Sequence, residues 1–432
     1  MTTSGDYMIE PKILKGFRDS LPTQEIARQN LMSSIQDTFR SFGFVPIDTP
    51  ALEYTEVLLG KGGGETDKQM FRFTDNGGRD VALRFDLTVP LARYVSSNSA
   101  SLSFPFKRYH MAKVWRGEKP QKGRYREFMQ CDFDIIGADS AQSDFEILLL
   151  IHSCLKNIGV PSFRVHVSHR GLTGTFISTL SSPVAPDDVL RAIDKLGKIG
   201  TDGVKMILSE LGMSAGDTES LMAFISLPSD NYSLTLDKLT SMFGPGCPEI
   251  VRLRQIKDMA DACGITDSFV IDTSITRGLD YYTGIVWETF LEDMKAIGSV
   301  CSGGRYDNLT GLYSKDVLPG VGSCIGLDRL IAALEELGSP LVTGNRPSDV
   351  LVISDGDPLW SEKTALRLRE CGLKAECYLG NKGKGAQFAY AESNGIPYVV
   401  CSEKDGLYSV KEISTRQMIE GLSARALAQR IK

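Results

Sequence analysis

Four side chains that could bind a charged, polar ligand alternate along one predicted strand near the middle of the first half of the chain. They are Phe128, Gln130, Asp132 and Asp134, with the apolar residues Met129, Cys131, Phe133 and Ile135 between them. Because side chains of a strand point alternately to its two faces, the polar set shares one face over an apolar underside. The preceding turn, 117–123, is flanked by Arg116 and Arg124 and contains Lys119 and Lys122. This turn predicts an anion-binding site.

Two further segments supply matching chemistry. Asp86 and Thr88 share one face of a predicted strand over residues 83–88, and Arg277 stands a few residues before Tyr281 and Tyr282. Guanidinium groups suit a polyphosphate, carboxylates suit an ammonium group, and tyrosines suit a polar ring. Alternation by itself is also typical of an ordinary half-buried hairpin with a solvated outer face, and that alternative stays open at this point.

The composition indicates a multidomain globular protein. At 432 residues, with 42% hydrophobic and 24% charged residues, the chain is expected to form two or three domains. It has no apolar run of eighteen residues and no basic or apolar block at its start, which predicts a cytoplasmic protein and no membrane partner. The nine cysteines are scattered without a Cys-x-x-Cys pair, so we expect reduced thiols and no structural metal. The net charge of −6 argues weakly against nucleic-acid binding.

The periodicities predict an α+β fold in three parts. Residues 1–171 and 266–338 contain strand patterns flanked by helices, which we interpret as one domain with a mostly antiparallel sheet. Residues 172–265 have helical patterning broken by Gly and Pro, which predicts a helical insertion. In residues 348–432, after a linker, strands alternate with helices, and this alternation predicts a small α/β domain with a mostly parallel sheet.

The strings that contain these residues resemble the histidyl-tRNA synthetases, which are class II aminoacyl-tRNA synthetases. They fall in the family's order along most of the chain, and the most discriminating is Arg277-Gly278-Leu279-Asp280-Tyr281-Tyr282-Thr283-Gly284. The other matching strings lie at residues 15–19, 83–88, 115–130, 302–307 and 322–330. The resemblance implies that residues 1–171 and 266–338 form the class II catalytic domain and that residues 348–432 bind the anticodon region of the tRNA.

The resemblance also implies the reaction and its site. Histidine and ATP would form histidyl-adenylate, and the histidyl group would pass to the 3′ end of tRNA(His). Arg116 and Arg277 would be the catalytic residues. The histidine site would comprise Asp86, Leu87, Thr88, Arg116, Gln130, Asp134, Arg277, Tyr281 and Tyr282. The ATP site would comprise Arg116, Glu118, Arg124, Phe128 and Arg329.

The resemblance extends to partners and co-substrates. ATP with Mg²⁺ would be the co-substrate, with no tightly bound cofactor, and the chain would form a homodimer through the segment ending at Pro50. Lys119 and Gln121 would contact the tRNA acceptor end. Gly62 to Gly64 is interpreted as a substrate-gating turn, because no Gly-x-x-x-x-Gly-Lys-Ser/Thr phosphate loop is present.

Two other functions remain open on the sequence alone. The first is a histidine-sensing regulatory subunit of ATP phosphoribosyltransferase, which keeps the catalytic fold without aminoacylation. The second is a class II synthetase for another amino acid. The segment from Arg277 to Tyr282 and the domain after Arg346 favour the histidine-specific enzyme.

Overall fold

The computed structural model describes residues 9–59, 65–227, 230–276, 281–308, 310–315, 317–343, 346–354 and 356–431. The predicted catalytic residue Arg277 and the predicted gating turn Gly62 to Gly64 lie outside the described residues. The chain divides into two compact units, one comprising Met1–Arg18 with Met32–Leu337 and the other Asp19–Leu31 with Gly338–Lys432. The three-part division expected from the sequence remains a prediction.

The first long helix supports one face of the large sheet. Helix α1, Pro22–Ser41, ends before Gly43, which has a φ of +76° and so provides a left-handed stop. Its Phe39 ring lies 4.9 Å from the ring of Phe133. Strand β1, Val45–Pro46, then forms the edge of the large sheet, where proline is tolerated.

A small three-stranded sheet follows, and it corrects one prediction. Its strands are β2, Leu52–Tyr54, β3, Arg72–Thr74, and β4, Asp80–Leu83, in the order β2-β4-β3. Two short helices lie between β2 and β3, namely α2, Thr55–Leu59, and α3, Glu65–Gln69. Helix α4, Thr88–Asn98, comes next. The predicted strand over residues 83–88 is therefore wrong beyond Leu83, and Asp86 and Thr88 do not share a strand face.

The physical reason is a helix start. The carboxylate of Asp86 accepts hydrogen bonds from the backbone N–H of Val89, at 3.0 Å, and of Thr88. These donors belong to the first turn of α4, which has no intrahelical acceptors for them. Pro90 also fits this first turn, because it has no N–H that needs a partner.

The large sheet has eight strands. Its first two long strands are β5, Phe106–Trp115, and β6, Glu127–Ile136, which form the predicted hairpin. They are followed by helix α5, Ala141–Asn157, and by β7, Phe163–His169, β8, Phe269–Ile271, β9, Ile285–Leu291, β10, Cys301–Tyr306, and β11, Gly320–Gly326. The order is β1-β5-β6-β11-β10-β9-β7-β8, and only the outermost pairs, β1–β5 and β7–β8, are parallel. The expected mostly antiparallel sheet is confirmed.

Two predicted site residues lie just before a strand. β9 begins at Ile285, and both Tyr281 and Tyr282 precede it outside any strand. The two tyrosines therefore are not constrained to opposite faces of a strand.

The region between β7 and β8 is helical. Its helices are α6, Arg170–Ser178, α7, Pro186–Ile193, α8, Leu196–Glu210, α9, Ala215–Ile225, α10, Tyr232–Phe243, and α11, Pro248–Ala262. Val189, Leu221, Leu239 and Leu253 contribute fully buried apolar side chains there. Helix α12, Leu327–Glu336, follows β11 and is buried along most of its length.

The second unit contains a five-stranded sheet with two apolar clusters, one on each face. Its elements are β12, Val350–Val352, α13, Pro358–Glu370, β13, Ala375–Cys377, α14, Lys384–Ser393, β14, Tyr398–Lys404, β15, Leu407–Glu412, β16, Met418–Leu422, and α15, Ala424–Ile431. Strands β13, β12 and β14 are parallel as expected, but β15 and β16 are antiparallel. Two of the four strand pairs described in this sheet are thus parallel, as expected, and two are antiparallel.

Candidate active site

The strand register of the large sheet aligns polar residues in rows across one face. In one row Arg108, Asp134, Gly322 and Gly304 are direct partners on β5, β6, β11 and β10. In the next row the partners are His110, Asp132, Cys324 and Ser302. Directly paired residues of neighbouring strands project to the same face. Residues distant in the sequence therefore line one surface together with the predicted set on β6.

Glycines make room on this surface. A Cβ atom at Gly322 would overlap the Oδ1 of Asp134, and one at Gly304 would lie 2.9 Å from the ring of Tyr282. Any larger residue at these positions would displace the carboxylate or the ring. The Asp134 side chain thus lies over the backbone of β11 at Gly322.

Asp134 is held by two side chains that the sequence had not indicated. The Arg108 guanidinium, which is 0% exposed, approaches Asp134 Oδ2 to 2.6 Å, and the hydroxyl of Tyr306 donates to Asp134 Oδ1. No guanidinium nitrogen of Arg108 has a well-oriented hydrogen bond within the described residues, so its contact with Asp134 is mainly electrostatic. Burial raises the pKa of Asp134, and Arg108 and Tyr306 oppose that shift.

Three tyrosine rings stand next to this carboxylate. The ring centroids of Tyr281 and Tyr282 are 4.7 Å apart, and Tyr281 meets Tyr306 edge-on at 6.0 Å. Leu91 and Val95 of α4 belong to the same buried cluster as Tyr282 and Tyr306. Helix α4 and the tyrosines thus pack together beside Tyr306, the residue that donates to Asp134.

The start of α4 brings a second carboxylate. Asp86, Leu87 and Thr88 are buried, and Leu87 is the residue that immediately precedes the helix. Burial raises the pKa of Asp86, whereas its hydrogen bond from Val89 and the nearby Arg116 and Arg108 lower it. The negative charge of Asp86 also disfavours the ionised form of Asp134, because it contributes to the raised pKa of Asp134.

Arg116 lies at the other end of the polar face. Its Nε donates to the carbonyl oxygen of Phe85 at 3.0 Å, and its guanidinium lies 4.3 Å from the Phe85 ring and 5.2 Å from the Phe128 ring. The hydrogen bond and the two rings fix the orientation of this planar cation, and among the described residues its other N–H groups have no hydrogen-bond acceptor, which suits them to bind a ligand. Phe128 and Arg116 are therefore adjacent.

The hairpin turn concentrates further positive charge. Gly123, with a φ of +70°, allows the tight turn that pairs Gln121 with Arg124. Arg124 lies 3.7 Å from Glu118, and Arg329 donates to the carbonyl oxygen of Ser299 at 2.6 Å. The pKa of Arg329 is lowered to about 10, by burial first and then by repulsion from Arg124 and Arg116. Three mutually repelling arginines form a surface that an anion would stabilise.

The segment around Arg18 positions this turn. Arg18 Nη2 lies 2.5 Å from Asp328 Oδ1, its guanidinium covers the ring of Tyr125 at 4.0 Å, and Asp328 Oδ2 accepts from the backbone N–H of Met129. The carbonyl oxygen of Gly16 accepts from the backbone N–H of Arg126 at 2.8 Å. The turn and the start of α12, which bears Arg329, are thereby tied to one segment.

The structure brings most of the predicted site residues together. Asp86, Leu87, Thr88, Gln130, Asp134, Tyr281 and Tyr282 gather at one end of the face, and Arg116, Glu118, Arg124, Phe128 and Arg329 at the other. Lys119 and Gln121 are exposed on the turn. Arg108 and Tyr306 were missed. Tyr306 and Gly304 are two residues apart on β10 and so share a face, which could have indicated Tyr306. The strand pairing that places Arg108 beside Asp134 joins residues distant in the sequence.

Two absences bear on cofactors and membranes. Across the described ranges, no three His, Cys, Asp or Glu side chains are grouped so as to hold a metal ion. No helix in the part of the chain that the structure describes is long and apolar enough to cross a membrane.

Comparison with known proteins identifies relatives along nearly the whole chain. A sequence profile described as Histidyl-tRNA synthetase matches residues 16–330. A Histidine--tRNA ligase of Treponema denticola is 52% identical over 405 residues, which cover 92% of this chain and 90% of that protein.

Solved structures give the same result. The crystal structure of histidyl-tRNA synthetase from Nostoc sp. PCC 7120 superimposes with a TM-score of 0.84 at 32% identity, covering 98% of this chain and 99% of that one. A structure from Bacillus halodurans described as an ATP phosphoribosyltransferase regulatory subunit/histidyl-tRNA synthetase has a TM-score of 0.74 at 22% identity, covering 89% of this chain and 97% of that one. At that identity the second likeness concerns the fold alone.

Proposed function

The chain belongs to the histidyl-tRNA synthetase family, and from this premise we propose that the polar face of its large sheet binds histidine and ATP side by side. As a histidine–tRNA ligase it activates L-histidine with ATP to histidyl-adenylate and then transfers the histidyl group to the 3′ end of tRNA(His). The alternative of a regulatory subunit is not favoured, since the relatives with 39–52% identity along the chain are ligases.

Histidine lies at the carboxylate end of the face in this proposal. Asp86, Thr88 and Gln130 receive its α-ammonium group, and Asp134 accepts from one imidazole N–H while Tyr281 and Tyr282 bound the ring. The burial of Asp86 and Asp134 supports this assignment, because buried carboxylates gain most from a cationic ligand. A pocket that hydrogen-bonds both polar atoms of its substrate's ring rejects analogues lacking them.

ATP lies at the arginine end. Phe128 and Arg329 take the two faces of the adenine, Arg124 with Glu118 lies near the outer phosphates, and Arg116 bridges the α-phosphate and the carboxylate of histidine. The mutual repulsion of Arg116, Arg124 and Arg329 supports a triphosphate site, since binding of that anion relieves it. Mg²⁺ enters with ATP as part of the substrate in this proposal, and the carboxylates of Glu118 and Glu288 interact with the charge of Arg329.

The chemistry requires no protein nucleophile. An oxygen of the histidine carboxylate attacks the α-phosphorus, a P–O bond forms, and the bond to the pyrophosphate oxygen breaks. Negative charge on the α-phosphate increases in the transition state, and the guanidinium of Arg116, held by Phe85, is oriented to stabilise it. Arg277 would act from the opposite side, and this role rests on the family resemblance alone.

Further assignments complete the proposal. Lys119 and Gln121 contact the tRNA acceptor end, which their exposure on the turn supports.

The chain forms a homodimer through the segment around β1 and β2, where Val45, Leu52 and Tyr54 expose large apolar side chains. It works in the cytoplasm, which its nine free cysteines support. Sedimentation as a monomer at micromolar concentration would contradict the dimer.

One observation carries the proposal: the buried carboxylate of Asp134 on the sheet, the buried Asp86 at the start of α4, and the arginines at the hairpin turn and on α12 border one polar face. ATP–pyrophosphate exchange with the purified protein tests it, using histidine, proline, threonine and glycine in parallel. We expect exchange with histidine alone. Exchange that is absent with histidine, or faster with another amino acid, would overturn the assignment.

A further inference from the structure

Asp132 has no role in the site described so far, although its position is central. It lies between Gln130 and Asp134 on the same face of β6, and it is 2% exposed. Its direct strand partners are His110 on β5 and Cys324 on β11. One of its oxygens, Oδ1, has no hydrogen-bond partner within the described residues. A buried carboxylate in such a position needs a physical reason.

A row of neighbouring polar groups connects Asp132 with the histidine site. The Nε2 of Gln130 donates to the sulfur of Cys324 at 3.0 Å, and Cys324 is the direct strand partner of Asp132. Burial and the adjacent Asp132 carboxylate raise the pKa of Cys324, so its thiol keeps its proton. A thiol has a single proton, and when that proton is directed to the neighbouring carboxylate, the sulfur can only accept from Gln130.

The direction of these contacts determines which way the amide of Gln130 faces. Its nitrogen is turned to the sulfur, so its Oε1 is turned away from it, and Oε1 has no partner among the residues that the structure describes. Gln130 is 8% exposed. A buried amide oxygen without a partner is an acceptor for an N–H donor of the ligand, such as an ammonium group.

We propose that Asp132 is a positioning residue for histidine, acting through the thiol of Cys324 to hold the amide oxygen of Gln130 toward the substrate's α-ammonium group. This inference rests on the histidine site proposed above and adds two residues to it. The anionic form of Asp132 is required, because a protonated carboxyl group can itself donate to the sulfur. The thiol then donates elsewhere, and the amide loses its fixed orientation.

The surroundings of Asp132 make this protonation accessible near neutral pH. Burial raises its pKa to about 7, the positive charge of Arg108 opposes the shift, and the negative charges of Asp134 and Asp86 increase it. The other groups facing it are Arg84, from the segment after β4, and His110. His110 remains neutral at pH 7, because burial and Arg108 lower its pKa to about 4, so its 3.0 Å contact with Asp48 is a hydrogen bond rather than an ion pair.

Histidine affinity should therefore depend on pH through Asp132. An ammonium group bound beside the relay favours the anionic carboxylate, so binding lowers the pKa of Asp132 and releases a proton when the pH is below about 7. The value of kcat/KM for histidine then rises with pH through that region. The imidazole of free histidine also titrates at about 6.5. The contribution of Asp132 to the pH dependence of kcat/KM is therefore the part that is lost in a variant without a carboxylate at position 132.

Steady-state exchange kinetics of full-length variants test the relay. We expect Asp132→Ala and Cys324→Ala each to raise the KM for histidine about tenfold at pH 8.5, the effect of losing one buried hydrogen bond, with the KM for ATP unchanged within about twofold. Combining the two substitutions should add little. Cys324→Ser, whose hydroxyl has the same donor and acceptor pair, should give a smaller rise than Cys324→Ala. Below pH 6 the difference between Asp132→Ala and the unaltered enzyme should shrink.

Cys131→Ala is the matched control, because it removes a buried thiol from the apolar face of the same strand, one residue from Asp132. It should leave the KM for histidine unaltered. The relay is refuted if Asp132→Ala retains the normal KM, if the gap between Asp132→Ala and the unaltered enzyme stays constant with pH, or if Cys324→Ser behaves like Cys324→Ala. Failure of the proposed function is distinguishable, since the unaltered protein would then give no histidine-dependent exchange at all.

Discussion

At the scale of single residues, the site depends on a buried ion pair that carries both structure and recognition. Asp134 and Arg108 meet at 2.6 Å with almost no solvent exposure, and the same carboxylate is the proposed acceptor for imidazole. Removal of one partner of a buried pair leaves an uncompensated charge. Substitution of Asp134 therefore changes folding stability as well as histidine binding.

We predict that Asp134→Ala lowers the free energy of unfolding by about 3–5 kcal/mol, because Arg108 is left buried without a counter-charge. Lys113→Ala on the same hairpin is the control, since its 2.7 Å pair with Glu127 is half exposed and contributes less than about 1 kcal/mol. Urea unfolding followed by fluorescence measures both. Similar midpoints for the two variants would mean that the Arg108 charge is compensated by another group.

At the scale of elements, Asp86 has two roles at the start of α4, a structural one and a proposed ligand-binding one, and substitutions can test them separately. A carboxylate and an amide oxygen can both accept from the backbone N–H of Val89, but only the carboxylate attracts an ammonium group. We predict that Asp86→Asn keeps the stability within about 0.5 kcal/mol while it raises the KM for histidine, whereas Asp86→Ala also loses about 1 kcal/mol. Thermal unfolding and exchange kinetics test the pair. A normal KM in Asp86→Asn would remove Asp86 from the histidine site.

Strand β11 provides the second element-scale test. A methyl group at Gly322 would overlap the Asp134 carboxylate, so Gly322→Ala should weaken histidine binding and lower stability by about 1–3 kcal/mol, as overpacking does. In Gly174→Ala the same methyl group meets no atom within 4 Å, and helix propensity favours alanine by about 1 kcal/mol. Calorimetric titration with histidine compares them. Equal affinities would show that β11 shifts freely at Gly322.

The elements also show what local sequence patterns can predict. The β5–β6 hairpin and its polar face follow from alternation, and the stop at Gly43 follows from one residue type. The segment after Leu83 was misjudged because Asp86 acts as a helix cap rather than a strand residue. The β14–β15 hairpin had a local signal that was overlooked, since Asp405 and Gly406 have φ values of 52° and 80°, as a two-residue hairpin turn requires.

The partners of the site residues were not predictable in the same way. Arg108 lies 26 positions before Asp134 and Tyr306 lies 172 after it, and both reach it through strand pairing. Alternation determines which face a side chain takes but not which strand lies beside it. The family resemblance indicated most of the proposed site residues, and the strand pairing in the structure added Arg108 and Tyr306.

At the scale of the whole molecule, a net charge of −6 requires that tRNA contacts come from a local basic surface. Contacts with phosphates release counterions, so the affinity for tRNA should fall by a factor of at least about 10 between 50 and 200 mM salt. The KM for histidine should change less than about twofold, because the charges around it are buried and poorly screened. Aminoacylation and exchange assays at both salt concentrations measure this. A salt-insensitive KM for tRNA would contradict recognition through phosphates.

The central claim is that one face of one sheet holds the amino acid and the nucleotide together, and a crystal structure with histidine and ATP bound tests it most directly. We expect the α-ammonium group within about 3.2 Å of Asp86 and of the Oε1 of Gln130, the imidazole against Asp134, and the α-phosphate at Arg116. Histidine bound away from Asp134, or a triphosphate that does not touch Arg116, would contradict the claim.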